Sequence, residues 1–205
     1  MKNYVTEFIG AFFLVLVIGL ASGDLAPLAI GGALMIMVYM GGHVSGAHYN
    51  PAVSIACLVR GALDGATTGI YIVSQILGAL AGACTAAFLA GQATTVAPGD
   101  GVSATHALLA EFLLTFALAS VVLNVATSKD HPDNSFYGLA IGFTIFVGAV
   151  SVGPISGGAF NPAVALGHNI VSGSLGNIWI YLLGPVAGGV AAAFVFRITN
   201  PDEFA

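Results

Sequence analysis

Two copies of one triplet carry the chemistry most readily read from this sequence: Asn50-Pro51-Ala52 and Asn161-Pro162-Ala163. Asn is a preferred helix N-cap. Pro suits the first helical position, where its missing N–H costs nothing and its fixed φ starts the turn. Ala leaves room for two helix ends to touch. A helix that begins in this way exposes backbone N–H groups and the positive end of its dipole. A capping Asn that spends its oxygen on the backbone keeps NH2 donors for a lumen. Two such ends facing each other make a site with donors and positive potential but no formal charge. Neutral molecules bearing an oxygen can bond there, and cations are repelled. Each copy closely follows a Ser-Gly pair, and the second runs directly into Val164.

No other constellation competes with this one. His43 and His48 flank Ser45-Gly46 and are read as bracing that loop. No further ligands cluster near them, so neither a metal nor a cofactor is expected. His106, His131 and His168 fall at segment ends and receive no role. No nucleophile–base pairing appears, which argues against an enzyme, and no basic patch appears, which argues against a nucleic-acid partner. Cys57 and Cys84 lie in apolar segments and are read as small buried hydrophobes rather than a disulfide pair.

The elements that must position the triplets are membrane helices. The chain is 58% hydrophobic and 6% charged, against about 25% charged in a soluble domain, so the lipid bilayer is the expected solvent. Apolar runs of spanning length fall at about 4–22, 27–45, 67–90, 105–127, 136–153 and 177–197. They are long, continuous and not alternating, which excludes strands. The first run follows Lys2 as a signal peptide would, but Glu7 inside it favours a retained first helix. Two further runs, from Asn50 to Val59 and from Asn161 to Val171, are too short to cross. Ten or eleven helical residues reach roughly 15–16 Å, half the hydrocarbon thickness.

The two halves of the chain resemble each other. "TEFIGAFFLVLV" (6–17) pairs with "AEFLLTFALASV" (110–121), "HVSGAHYNPAVS" (43–54) with "PISGGAFNPAVA" (154–165), and "ILGALAGA" (76–83) with "LLGPVAGG" (182–189). Three spans per half force the halves, about 1–90 and 105–199, into opposite topologies within a single channel domain over 1–205. The short helices then enter from opposite faces and meet near the midplane. With the N-terminus in the cytoplasm, Lys2, Arg60, Lys129 and Arg197 all fall on the cytoplasmic side, as the positive-inside bias predicts. Both termini are then cytoplasmic, and no basic residue is left for the pore.

The chain resembles the major intrinsic protein family, the aquaporins and aquaglyceroporins. The likeness runs over nearly its whole length, through "TEF", "GHVSGAHYNPAVS", "QILGALAG", "GPISGGAFNPAV" and "GPVAGG". It implies an all-α membrane fold of six spans and two re-entrant half-helices, one pore per protomer, a homotetramer and a cell-membrane location. It also implies that Glu7 and Glu111 are buried acids bonded to the backbone of the re-entrant loops. An intramembrane carboxylate needs such internal partners on physical grounds.

Counting from the triplets, the family's outer constriction maps to Ile30, Ala149, Gly158 and Val164, with Gly148 as the alternative on the fifth span. Water-selective members have an aromatic residue, a His, a small residue and an Arg at these positions. Here all four are apolar, which predicts a wide, weakly polar pore without the Arg fork. An apolar collar disfavours strongly hydrated species, because water gives up hydrogen bonds without replacement. Phe12, Phe13, Phe143, Phe146 and Phe160 are candidates to line part of the lumen, and Tyr49 or Phe160 to narrow it. The expected function is a passive channel for small uncharged solutes: glycerol, urea, ammonia, neutral metalloid hydroxides such as arsenous acid, methylated arsenicals, and water. A water-selective channel is the alternative in the same class. A coupled secondary transporter, with Glu7 and Glu111 as its only intramembrane acids, is the alternative in another.

Overall fold

A computed structural model describes residues 1–204. The described chain forms eight α-helices and no strand: α1 (Lys2–Leu20), α2 (Ala26–Ser45), α3 (Pro51–Arg60), α4 (Gly65–Ala90), α5 (Ala104–Thr127), α6 (Tyr137–Ser156), α7 (Pro162–Ser172) and α8 (Ile178–Thr199), followed by a 3₁₀ turn at Pro201–Phe204. Six are long and apolar enough to cross a membrane. Their ends fall within three residues of the expected spans. The short pair, α3 and α7, are the expected half-helices.

Close backbone approach holds the bundle together, as is usual where lipid removes the hydrophobic drive between helices. A methyl group at Gly78 of α4 would stand 2.3 Å from the Phe8 carbonyl oxygen of α1, and one at Gly188 of α8 would stand 2.3 Å from that of Phe112 of α5. Between α2 and α6, a methyl at Gly31 or Gly142 would stand 2.6 or 2.5 Å from the other's carbonyl. Along the same contact Gly31 lies against Phe146, Met35 against Gly142 and Tyr39 against Gly138. The two helices therefore run antiparallel, with their crossing centred near Ala33 and Thr144. Six crossings return the chain to its starting side, so both chain ends share one face, called here the terminal face.

The apolar-segment reading of the cysteines needs one correction. Cys57 is buried, but Cys84 is exposed on the outer surface of α4. An all-apolar helix does not reveal in sequence which of its faces meets lipid.

Candidate pore

Each half-helix starts as its triplet dictates. Asn50 and Asn161 take extended backbone angles, and their Oδ1 atoms accept from Ala52 N and Ala163 N, each at 2.9 Å, with Pro at the first helical position. Such caps are worth about 1 kcal/mol each. Their amides then cross: Asn50 Nδ2 donates to the Phe160 carbonyl and Asn161 Nδ2 to the Tyr49 carbonyl, both at 2.9 Å. Each Asn thus keeps one N–H, rather than two, for a passing solute.

The loops leading into the triplets share one backbone pattern. Gly46, Ala47 and Tyr49 have φ of +85°, +52° and +50°, and Gly157, Gly158 and Phe160 have +89°, +66° and +49°. Left-handed non-glycine residues persist only where the surroundings hold them. Two fully buried carboxylates do so here. Glu7 Oε1 accepts from Ser45 Oγ (2.6 Å) and His48 N (3.0 Å), and its Oε2 from Tyr49 N (2.7 Å) and Gln75 Nε2 (2.7 Å). Glu111 Oε1 accepts from Ser156 Oγ (2.7 Å) and Ala159 N (3.0 Å), and its Oε2 from Phe160 N (2.6 Å).

Above and below the Asn pair runs a cavity whose walls come in equivalent pairs from the two halves. Leu14 answers Leu118 and Ile18 answers Val122 on α1 and α5. Ile30 answers Ile141 and Leu34 answers Ile145 on α2 and α6. Val53 answers Val164 on the half-helices. The polar side chains on the wall are those of Tyr49, His48, Asn50 and Asn161, and no charged residue lines it. The Tyr49 ring turns away to pack against Gly10 and Gly41, its hydroxyl donating to the Met37 carbonyl.

The model of the major intrinsic protein family matches residues 1–196. The chain belongs to that family. Members are passive channels, not enzymes. It is 36% identical to the glycerol uptake facilitator protein-like 6 of Lactiplantibacillus plantarum, over 99% of this chain and 100% of that one. It is 37% identical to aquaporin NIP1-1 of Zea mays and 36% identical to nodulin-26 of Glycine max, each over 83% of this chain but only 62% and 63% of theirs. The fold matches the X-ray structure of the aquaglyceroporin from Plasmodium falciparum with a TM-score of 0.88, at 24% identity, covering 99% of this chain and 98% of that one.

Within this family member, the residues mapped to the outer constriction do not all meet. Ile30, Gly158 and Val164 line the cavity, but Ala149 and Gly148 do not. On α6 the cavity is lined by Ile141 and Ile145. Gly148 instead packs against Phe160 and Leu114. The lumen is apolar, as expected. The space open to a water's centre is about 20 Å3, room for about one water.

None of the five candidate phenylalanines lines the cavity. Phe13 and Phe143 face outward, and Phe160 is 1% exposed beneath its loop. His43 makes no hydrogen bond among the described residues. It is exposed at the rim of a vestibule on the terminal face. His48 is the histidine that braces the loop, through its backbone to Glu7 and its ring to Ser54 Oγ at 3.0 Å. Ser54 and Gln75 were not singled out from sequence. The signal was a polar residue in the interior of each of two apolar helices, which must find an internal partner when buried.

Proposed function

We propose that the protein is a passive channel for small uncharged solutes that carry apolar surface, with glycerol the first candidate. The observation that carries this reading is the wall itself: ten aliphatic side chains in five pairs, two free amide N–H groups at the Asn pair, and no charge. A hydrated ion would shed water there with nothing to replace it, at a cost far beyond that of a neutral group. A polyol loses less, because its CH edges suit the aliphatic wall while its hydroxyls reach the Asn donors. The facilitator-like bacterial relative supports glycerol. Urea, ammonia and neutral metalloid hydroxides, including arsenite and methylated arsenicals, share the required chemistry.

Solute selection, on this reading, falls on Ile30, Gly158, Val164 and Ile145 rather than Ala149. Leu34 and Ile145 sit within about one residue of the centre of the α2–α6 crossing and line the same cavity as the Asn pair. The terminal face is cytoplasmic, since Lys2, Arg60, Lys129 and Arg197 all gather there. One channel domain spans the chain. Four copies, each with its own pore, form the assembly in the cell membrane, as the family resemblance implies.

Room for about one water favours a second reading, a water-selective channel. Stopped-flow light scattering on proteoliposomes separates the two. Fast reswelling driven by glycerol supports the solute channel. Fast shrinkage without glycerol entry replaces it with the water channel. Val164→Arg should lower the glycerol-to-water permeability ratio by about tenfold, through added bulk and a fixed charge. An unchanged ratio places the selecting constriction elsewhere.

A further inference from the structure

Among the described residues there is one ion pair, Arg60 with Glu203 at 2.6 Å, and its side chains are only 10% and 4% exposed. It ties the end of α3 to the end of α5 and to the 3₁₀ turn after α8. Arg60 ends α3, the half-helix that begins with Asn50. Its Nε donates to Thr127 Oγ1 and its Nη2 to the Thr127 carbonyl, both at 3.0 Å, at the end of α5. The guanidinium lies over the rings of Phe196 of α8 and Phe204 of the 3₁₀ turn, 5.1 and 5.4 Å from their centroids. Stacking of this kind suits a planar cation that must be held in one place.

The other oxygen of Glu203 reaches the connection between α5 and α6. Oε1 accepts from Ser128 Oγ at 2.7 Å and from Lys129 N at 2.6 Å. These bonds, Ser128 first, and the pairing with Arg60 hold the Glu203 carboxyl below the usual carboxylate range. The connection is pinned at its far end by Asn134 Nδ2 on the Val125 and His131 carbonyls, and by Tyr39 Oη on the Ser135 carbonyl. At its near end, Glu203 is the only side chain from another element, among the described residues, that bonds Ser128 or Lys129. The end of α5 from residue 125 and, in the connection, residues 128, 129 and 131–134 form one wall of the vestibule of about 430 Å3 on the terminal face, and Ile141 is shared between that vestibule and the lumen.

We propose that Glu203 is a positioning residue for conduction: it fixes the α5–α6 connection as a rigid wall and keeps the mouth of the pore open. Released from Glu203, the connection swings across the vestibule for part of the time, and permeability falls by the fraction of time the mouth is covered. The aliphatic collar lies deeper and is untouched. Water and glycerol are therefore slowed by the same factor, which sets this role apart from that of any collar residue.

The test compares Glu203→Ala, Glu203→Gln and Asp202→Ala in proteoliposomes, with permeability per channel and amide hydrogen exchange over residues 128–136 as readouts. Glu203→Ala should speed exchange there by about tenfold or more and lower water permeability by about threefold, at an unchanged glycerol-to-water ratio. Glu203→Gln keeps an acceptor for Ser128 and Lys129 but loses the charge opposite Arg60, so it should move both readouts less and in the same direction. Asp202→Ala, at an exposed neighbour, should move neither. Unchanged exchange overturns the proposal, as does faster exchange at full permeability. A shifted ratio also overturns it, because the tail would then act through α3 on the collar. If the Ala variant fails to assemble, the Gln variant decides. The exchange readout does not depend on which solute the channel carries.

Discussion

The sockets that hold α3 and α7 solve one problem with different residues. Both centre on a buried glutamate that takes a serine hydroxyl and two backbone N–H groups. Around the first, His48, Ser54 and Gln75 extend the network: Gln75 Nε2 donates to both Glu7 Oε2 and Ser54 Oγ, and Ser54 Oγ meets the His48 ring. Around the second, Ala159 and Ala165 stand at the equivalent positions and no extension exists. Tyr181 occupies the place of Gln75 and donates to the Ser156 carbonyl at 2.5 Å. In the first half the matching Ser45 carbonyl is served by Tyr71, one turn away from that place. What recurs is therefore the minimum that the strained loop requires: a carboxylate, a hydroxyl and a capped carbonyl. The remaining contacts are free to differ.

The outer ends of the half-helices are tethered by different means as well. Arg60 ties α3 to the tail and to α5. Asn169 ties α7 to the long α4–α5 loop, its side chain exchanging two 2.9 Å bonds with Val96 N and O.

The sharpest way to break this comparison is to remove the carboxylates. Glu7→Ala strands four donors and Glu111→Ala strands three. At about 1–3 kcal/mol for each buried orphan, both should abolish the folded channel, seen as lost monodispersity in detergent. The glutamine variants sharpen the contrast. In Glu7→Gln the new NH2 can be met by Gln75, whose Oε1 is buried and unpartnered, after its amide flips. Glu111 has no such neighbour. Glu111→Gln should thus be less stable than Glu7→Gln by about 1–3 kcal/mol, measured by thermal unfolding. Equal losses would mean that the extended network contributes no adaptability.

Smaller effects follow at the tethers. Asn169→Ala should cost about 1–3 kcal/mol by leaving Val96 N and O unpaired, with faster hydrogen exchange confined to residues 92–103. Ser54→Ala has the mildest expected outcome, about 1 kcal/mol, because it makes the first socket resemble the second, where Ala165 already serves. A larger loss would show that the first socket depends on its extension.

The fold was legible in the sequence because its signals are local. Span length, the Asn-Pro caps and the paired order of segments each depend on residues near in the chain. The glutamate sockets were legible too, since a carboxylate inside an apolar helix must find donors. The fifth-span lining residue was not. Counting back from Asn161 gives Ala149, but which side chain reaches the lumen depends on how α6 crosses α2 at Gly31 and Gly142, a relation between distant segments. Chain distance hid Glu203 in the same way: an acid 143 residues from Arg60 reads as part of a solvated tail. His43 and His48 could not be told apart, because their roles turn on which one lies at the end of α2 and which inside the strained loop.

The crossed bonds between Asn50 and the Phe160 carbonyl, and between Asn161 and the Tyr49 carbonyl, have a kinetic consequence. They staple the two halves together at the one level where a carrier would have to part them in order to expose its site to each side in turn. A protein stapled there has no stroke to complete and no return step to wait for. Its flux should rise in proportion to the solute gradient without saturating, and it should be indifferent to any ion gradient applied alongside.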